Sequence, residues 1–271
     1  MSKIQNDKYY TPPKLAEELT TRTLNIIGRT NVSEIIEPSA GNGSFHNLFK
    51  VYKAYDIEPD SPYVTKQDYL TLDEEYKNGR LYLGNPPFGD RNNLSLKFLK
   101  KNVLYGDYIA YIQPISAFGG SMQFYEFDLI HSEDLGVVEY INGMDITKTV
   151  KLRCCFNIWK RPSNGKLNSK PNYKLDSIII KEYRRDGLTH KITPDFDYAM
   201  CNWGTGSFGK IPEYIGQYAQ EVYFYLKDKN KLDELKSLLD YNNIRNNIKN
   251  ISMKKMSVIR IYKLLKDNGF T

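Results

Sequence analysis

The chain has 271 residues, 41% of them hydrophobic, and a formal net charge of +6. That length suits one large domain, or a domain with a smaller appendage. No run approaches the roughly 18 unbroken apolar residues of a membrane span, and the opening "MSKIQNDKYYTPP" lacks an apolar signal core, so a cytoplasmic location with no membrane partner is expected. Three cysteines (Cys154, Cys155, Cys201) and three scattered histidines (His46, His131, His190) show no metal-ligand spacing, so no metal is expected. The charge is unevenly divided. Residues 1–159 hold 17 Lys/Arg against 20 Asp/Glu, net −3, and residues 160–271 hold 21 against 12, net +9. A near-neutral front and a basic back suggest a core joined to a part that faces a polyanion.

In chain order, "PPKLAEELTTRTLNIIG" (12–28) reads as a helix: Leu15, Leu19, Ile26 and Ile27 are helically spaced, with Thr11 as its cap and Pro12 at the first helical position. Apolar, β-branched runs ending in turn residues predict strands at 33–39, 51–57, 79–84, 107–114, 136–141 and 154–159. Helical stretches are expected near Ser44 and across 93–104 and 121–131. Such alternation implies a mostly parallel sheet covered on both faces, with ligands beyond the carboxyl ends of its strands. At "RPSNGKLNSKPN" (161–172) the texture turns polar and basic, a domain boundary. Beyond it come a strand at 174–183, a glycine-rich loop "NWGTGSFGK" (202–210), and helical patterns over 213–240 and 252–267.

The strand ends carry residues suited to chemistry. In Glu37-Pro38-Ser39-Ala40-Gly41-Asn42-Gly43, the glycines let backbone approach a ligand closely. Asp56 ends the next strand, where open α/β nucleotide sites place a carboxylate for ribose hydroxyls, although Asn47 breaks a GxGxxG pattern and disfavours nicotinamide. Asp68 follows at a third end, able to accept from an exocyclic amine; each acid could equally be a turn or cap residue. The fourth end is Asn85-Pro86-Pro87-Phe88, where two prolines fix φ, remove two donors and hold Asn85 extended. The Asn85 side-chain oxygen and the Pro86 carbonyl could accept both hydrogens of an amine, leaving its lone pair aimed at an electrophile, with Phe88 stacked on the ring that carries it.

"EPSAGNGSF" followed by "NPPF" resembles the signature pair of the S-adenosylmethionine-dependent DNA adenine-N6 methyltransferases, a D/E-P-x-x-G-x-G-x-F loop and D/N/S-P-P-F/Y/W. "YYTPPKLAEEL" (9–19) and "CCFNIWKR" (154–161) are similar to flanking segments of that family, so the likeness spans roughly residues 9–161. It implies a Rossmann-like methyltransferase sheet with helices on both faces (residues 1–161) and a smaller C-terminal α+β recognition region (162–271). Carried over by position, Thr11, Glu37, Pro38, Ser39, Ala40, Gly41 and Gly43 bind the methionyl part of S-adenosylmethionine. Asp56 takes its ribose, and Asp68 with Tyr69 its adenine. Asn85, Pro86, Pro87 and Phe88 form the catalytic loop, with Asn85 also at the cofactor and Phe156 a second wall for the base.

Only 16 residues separate Asp68 from Asn85 (85 − 68 − 1), which leaves the C-terminal part as the place for target recognition. Arg184, Arg185, Lys254 and Lys255 are the expected phosphate contacts to double-stranded DNA, whose target adenine is extruded from the stack. A cognate restriction nuclease is a candidate partner. Two other readings stand beside this one: an RNA adenine or protein glutamine methyltransferase, and a silent nucleic-acid-binding module. The glutamine enzymes typically carry NPPY, and Phe88 speaks against them.

Overall fold

The computed structural model describes residues 8–45, 49, 52–89, 92–120, 123–185, 191–204, 206–240, 242–244 and 256–271. The chain divides into two compact units, residues 1–170 and 171–271. The division falls within the stretch 161–172, at its far end, because the backbone there is tied to the first unit. The Arg161 amide donates to the Asp107 carbonyl at 2.7 Å, and the Asn168 amide to that of Glu126 at 3.0 Å.

The first unit holds an eight-stranded sheet: β1 (Tyr9–Tyr10), β2 (Glu34–Glu37), β3 (Tyr52–Asp56), β4 (Thr65–Lys66), β5 (Arg80–Gly84), β6 (Tyr108–Pro114), β7 (Asp128–Asn142) and β8 (Thr149–Lys160). Their order is β1-β7-β8-β6-β5-β2-β3-β4. From β4 to β6 every pairing is parallel. Counted from β2, that half runs 3-2-1-4-5, the order of a doubly wound nucleotide-binding sheet. The other half is antiparallel. The expectation of a mostly parallel sheet therefore holds for one half only: the turn between β7 and β8 is too short for the crossover that parallel strands require. With β8 inserted antiparallel between β6 and β7, the sheet has the expected Rossmann-like methyltransferase layout.

Alternation along the strands sorts side chains to two faces. Ile35, Leu81, Leu83, Ala110, Ile112 and Ile158 pack with Ala16, Leu19, Leu24 and Ile27 of helix α1 (Pro13–Ile27). The intervening Ile36, Tyr82, Ile109, Tyr111 and Trp159 pack with Phe98, Leu99 and Val103 at helix α2 (Asn93–Asn102). Both faces are thus covered.

Two local expectations fail, and a third lies outside the described residues. Pro12, with ψ 131°, is the N-cap of α1, and no side chain, Thr11 included, caps it. Of the helix expected across 121–131, the described residues 123–131 are not helical: β7 begins at Asp128, and Phe124 and Phe127 pack into the α2-side core. Their three-residue spacing imitated a helical face. The helix expected near Ser44 falls on residues 46–48 and 50–51, outside those described.

The second unit pairs β9 (Ile178–Arg184), β10 (Tyr198–Cys201) and β11 (Gln220–Leu226) as an antiparallel sheet in the order β10-β11-β9. Met200, Val222 and Phe224 form its core with Leu235 of α3 (Leu232–Leu238) and Ile261 and Leu265 of α4 (Val258–Asp267). The helix expected across 213–240 is instead β11 followed by α3, since "EVYFYL" is rich in residues that suit a pleated, half-buried surface. This unit is the expected small α+β region.

Candidate functional site

The carboxyl ends of β2, β3 and β5 lie side by side and converge with the chain just after β1. Asp56, ending β3, accepts from the Gly41 amide at 2.8 Å and the Glu58 amide at 2.9 Å, so it fastens the glycine loop to its neighbour strand. Gly41 has φ +53°, and a Cβ there would lie 2.8 Å from the Tyr10 ring. Tyr10 is buried over the loop, and its hydroxyl donates to Asp60. The Asp60 amide in turn donates to the Gly41 carbonyl at 3.0 Å. The loop is therefore held from two sides, with its backbone approached closely by an aromatic ring.

Glu37, the last residue of β2, is buried with no cation beside it. Its hydrogen-bond donor is the Tyr52 hydroxyl. Burial pushes its carboxyl well above the usual range, the charge of Asp56 adds to that, and the Tyr52 hydroxyl opposes it. Gly84 ends β5 against it: a Cβ there would lie 3.1 Å from the Glu37 Cγ. Next in the chain, Asn85 donates from Nδ2 to the Tyr9 carbonyl through a long 3.4 Å bond. Among the described residues its Oδ1 is buried with no hydrogen-bond partner, and so are Thr11 Oγ1 and Ser39 Oγ. Buried polar atoms are nearly always paired, and leaving one unpaired costs about 1–3 kcal/mol. Three such atoms at one end of one sheet mark a place built to receive a polar ligand. Pro86 is buried, Pro87 and Phe88 half-buried, and Phe88 rests on the α1-side core.

The structure thus brings together Thr11, Glu37, Pro38, Ser39, Ala40, Gly41, Gly43, Asp56, Asn85, Pro86, Pro87 and Phe88 around adjoining strand ends. Others fall away. Tyr69 is fully buried, stacked on Phe98 with centroids 6.1 Å apart, and its hydroxyl donates to Asn102 at 2.9 Å, so its side chain is not free to meet a ligand. Phe156 is likewise fully buried in the α1-side core and forms no exposed wall, because β8 is covered on both faces there. Asp68 is exposed just after β4 and caps the turn at Leu70 with a 2.9 Å bond.

In the second unit the Arg185 guanidinium donates to the Gly216 and Gln217 carbonyls at 3.2 and 3.1 Å, and Arg184 ends β9 half-buried. Lys254 and Lys255 lie outside the described residues. The sequence reading missed Tyr10, Tyr52 and Asp60. The only signal for them was an excess of tyrosine and a carboxylate just past the β3 end.

A cavity of about 380 Å³ opens at the opposite, amino end of the sheet, lined by Asn31, Tyr76, Asp107 and Arg161 among others. Its carboxylate is already satisfied: Asp107 accepts from Tyr76 at 2.9 Å, the Gly79 amide at 2.7 Å and Arg161 at 3.1 Å. Among the described residues no group of three or more His, Cys, Asp or Glu could hold a metal, and no helix is long and apolar enough to cross a membrane.

No protein-family model matches the chain, and no curated protein matches it. Solved structures do. A protein provisionally assigned as an RNA methyltransferase from Pyrococcus horikoshii is 15% identical, covering 59% of this chain and 90% of its own, with a TM-score of 0.45. The 23S rRNA methyltransferase ErmE is 12% identical over 60% of this chain and 72% of its own, TM-score 0.40. A protein provisionally assigned as a class I S-adenosylmethionine-dependent methyltransferase from Listeria monocytogenes is 12% identical over 59% and 63%, TM-score 0.38. With TM-scores below 0.5, these likenesses bear on neither cofactor nor substrate.

Proposed function

We propose that the protein is an S-adenosylmethionine-dependent methyltransferase acting on the exocyclic amine of adenine in duplex DNA. The observation that carries this reading is the unpartnered Asn85 Oδ1, held at the end of β5 between Gly84 and two prolines and beside the glycine loop. An acceptor buried without a donor is stabilised by an incoming N–H, and an exocyclic amine brings two.

The residues present fit the cofactor. Thr11 Oγ1 and Ser39 Oγ lack partners where its polar methionyl end would bind, and Gly41 leaves backbone bare. Asp56 would meet the ribose. S-adenosylmethionine, held there, would supply an electrophilic methyl group on its sulfonium sulfur, with the neutral thioether as leaving group and the proton displaced from the amine released to water. Asn85 Oδ1 and the Pro86 carbonyl accept the amine hydrogens and draw its lone pair out of conjugation with the ring. Phe88 stacks on the extruded base, worth about 1–3 kcal/mol. The prolines keep this geometry fixed before substrate arrives, so little reorganisation is needed at the moment of transfer. The basic second unit would supply phosphate contacts.

The test is incubation with methyl-labelled cofactor and unmethylated duplex DNA, RNA and protein side by side. Label appearing as N6-methyladenine in DNA supports the reading; label confined to RNA or to protein glutamine moves it to that substrate.

A further inference from the structure

β7 and β8 do not stop where the sheet stops. The last residue of β6, Pro114, pairs with Cys154, yet β7 and β8 continue past it, pairing from Val137–Arg153 out to Ile141–Thr149. The hairpin therefore projects beyond the carboxyl edge of the sheet, on the side of the candidate site. Its stem is anchored. Val138, Tyr140 and Cys154 face the α1-side core, and the Tyr140 hydroxyl donates to the Cys154 sulfur at 3.2 Å. β1 pairs with its outer end, Tyr9 opposite Asn142, and the Tyr9 carbonyl is the acceptor for Asn85 Nδ2. One strand spacing, about 4.8 Å, thus separates the backbone holding Asn85 from the hairpin.

The tip inverts the usual distribution of polarity. Its polar side chains are turned onto its own backbone. Asn142 Oδ1 accepts from the Met144 amide at 2.9 Å, and Asp145 Oδ1 accepts from the Thr147 amide at 3.2 Å and from its hydroxyl at 2.6 Å. Asp145 also pairs with Lys148 at 2.8 Å, so the tip offers no free charge of its own. Its apolar side chains stand in water: Met144 is 61% exposed and Ile146 76%. Further positions are fixed by main-chain bonds from Asn142 to Lys148 and from Gly143 to Lys8, at 3.0 and 2.7 Å. A rigid, neutral, apolar point beside a loop that holds an extruded base has the chemistry of a wedge between stacked bases, not of a phosphate contact.

We infer that Met144 and Ile146 enter the base stack of a duplex next to the target and hold the target base out. This rests on the proposed nucleic-acid substrate. Extrusion costs a few kcal/mol, least where the base is mispaired, so a wedge matters most on a fully paired duplex.

The experiment has two arms. All three native cysteines are buried, so the thiol of an Ile146→Cys variant is the one that an environment-sensitive fluorophore labels in the folded protein. Its emission is expected to shift on adding duplex DNA. In the second arm, Met144→Ala/Ile146→Ala is expected to slow methylation of a paired duplex at least tenfold, with the rate restored on a duplex whose target adenine is mispaired. A silent label together with an unchanged rate on paired DNA overturns the inference while leaving the methyltransferase reading intact. A shifted label on a protein that methylates no nucleic acid keeps the contact and removes the reading. Equal slowing on paired and mispaired DNA assigns the residues to stability and overturns the wedge.

Discussion

The two ends of strand β2 are three residues apart and electrostatically opposite. At the amino end, Glu34 is as buried as Glu37 but meets Arg80 at 2.7 Å, with Lys77 and Lys53 farther out at 3.2 and 3.7 Å. Arg80 also reaches Glu74 at 2.9 Å. Although burial opposes it, the Arg80 guanidinium holds the Glu34 carboxyl below its usual range. At the carboxyl end Glu37 has a hydroxyl for a partner and a second carboxylate nearby, and its carboxyl is driven the other way. Around it stand Thr11 Oγ1, Ser39 Oγ and Asn85 Oδ1, each buried and unpartnered. The completed end stabilises the sheet; the incomplete end is where a ligand can gain free energy by supplying what is missing.

Asn85→Ala should break this contrast most severely. Removing the amide takes away the acceptor that orients the amine, and turnover is expected to fall by about 10²–10³-fold, the range seen for losing one oriented polar group at a reacting centre. Cofactor affinity, measured calorimetrically, should stay within a few-fold; wild-type turnover would remove Asn85 from the chemistry. Phe88→Ala follows. Losing a base–aromatic stack is worth about 1–3 kcal/mol, or roughly 5–150-fold in affinity for DNA, read from binding titrations at fixed salt.

Gly41→Ala comes next. A side chain at φ +53° would also drive a Cβ to 2.8 Å from the Tyr10 ring. The expected loss is about 1–3 kcal/mol of stability together with weaker cofactor binding, and thermal melts with and without cofactor separate the two.

The smallest effect concerns pH. Because the Glu37 carboxyl is raised in the folded state, the native protein holds a proton that the unfolded chain, with an ordinary glutamate near pKa 4.3, releases. The associated stability is complete below about pH 4.3 and is lost as pH rises toward the native titration. Between those limits the slope is at most about 1.4 kcal/mol per pH unit. Glu37→Gln should abolish this decline, so denaturation curves of the two proteins should converge or cross as pH rises. Parallel curves would mean that Glu37 is ionised in the native state.

How much of this was legible in the sequence depends on which physical signal was available. Strands β2, β5 and β6 were plain because runs such as "LYLG" and "YIAYI" end abruptly at turn residues, and a strand buried on both faces has that signature. The glycine and Asn-Pro-Pro loops were legible because only a few residue types tolerate such backbones. What the sequence hid was direction. Tyr69 sits beside Asp68 in the chain, yet one side chain caps a turn at the surface and the other stacks on Phe98 in the core. Phe156 looked like a site residue from its flanking motif, while the two-residue period of β8 sends it inward with Ile158. Thr before Pro is a common start signal and predicts Thr11 as a helix cap; the cap is Pro12, and the threonine hydroxyl has no partner among the described residues. The pairings Tyr10–Asp60 and Tyr52–Glu37 link residues 50 and 15 positions apart, beyond the reach of any local pattern.

Asp56 has one more consequence. An ionised carboxylate offers about four lone-pair directions, and here one on each oxygen is already taken by a loop amide, from Gly41 and from Glu58. The remaining lone pairs, also one per oxygen, form a pair of acceptors. Two adjacent hydroxyls are the donors such a pair accommodates, whereas a deoxy sugar would satisfy only half of it. Under the proposed function, the residue that locks the loop in place would thereby also tell a ribose from a deoxyribose, by valence alone.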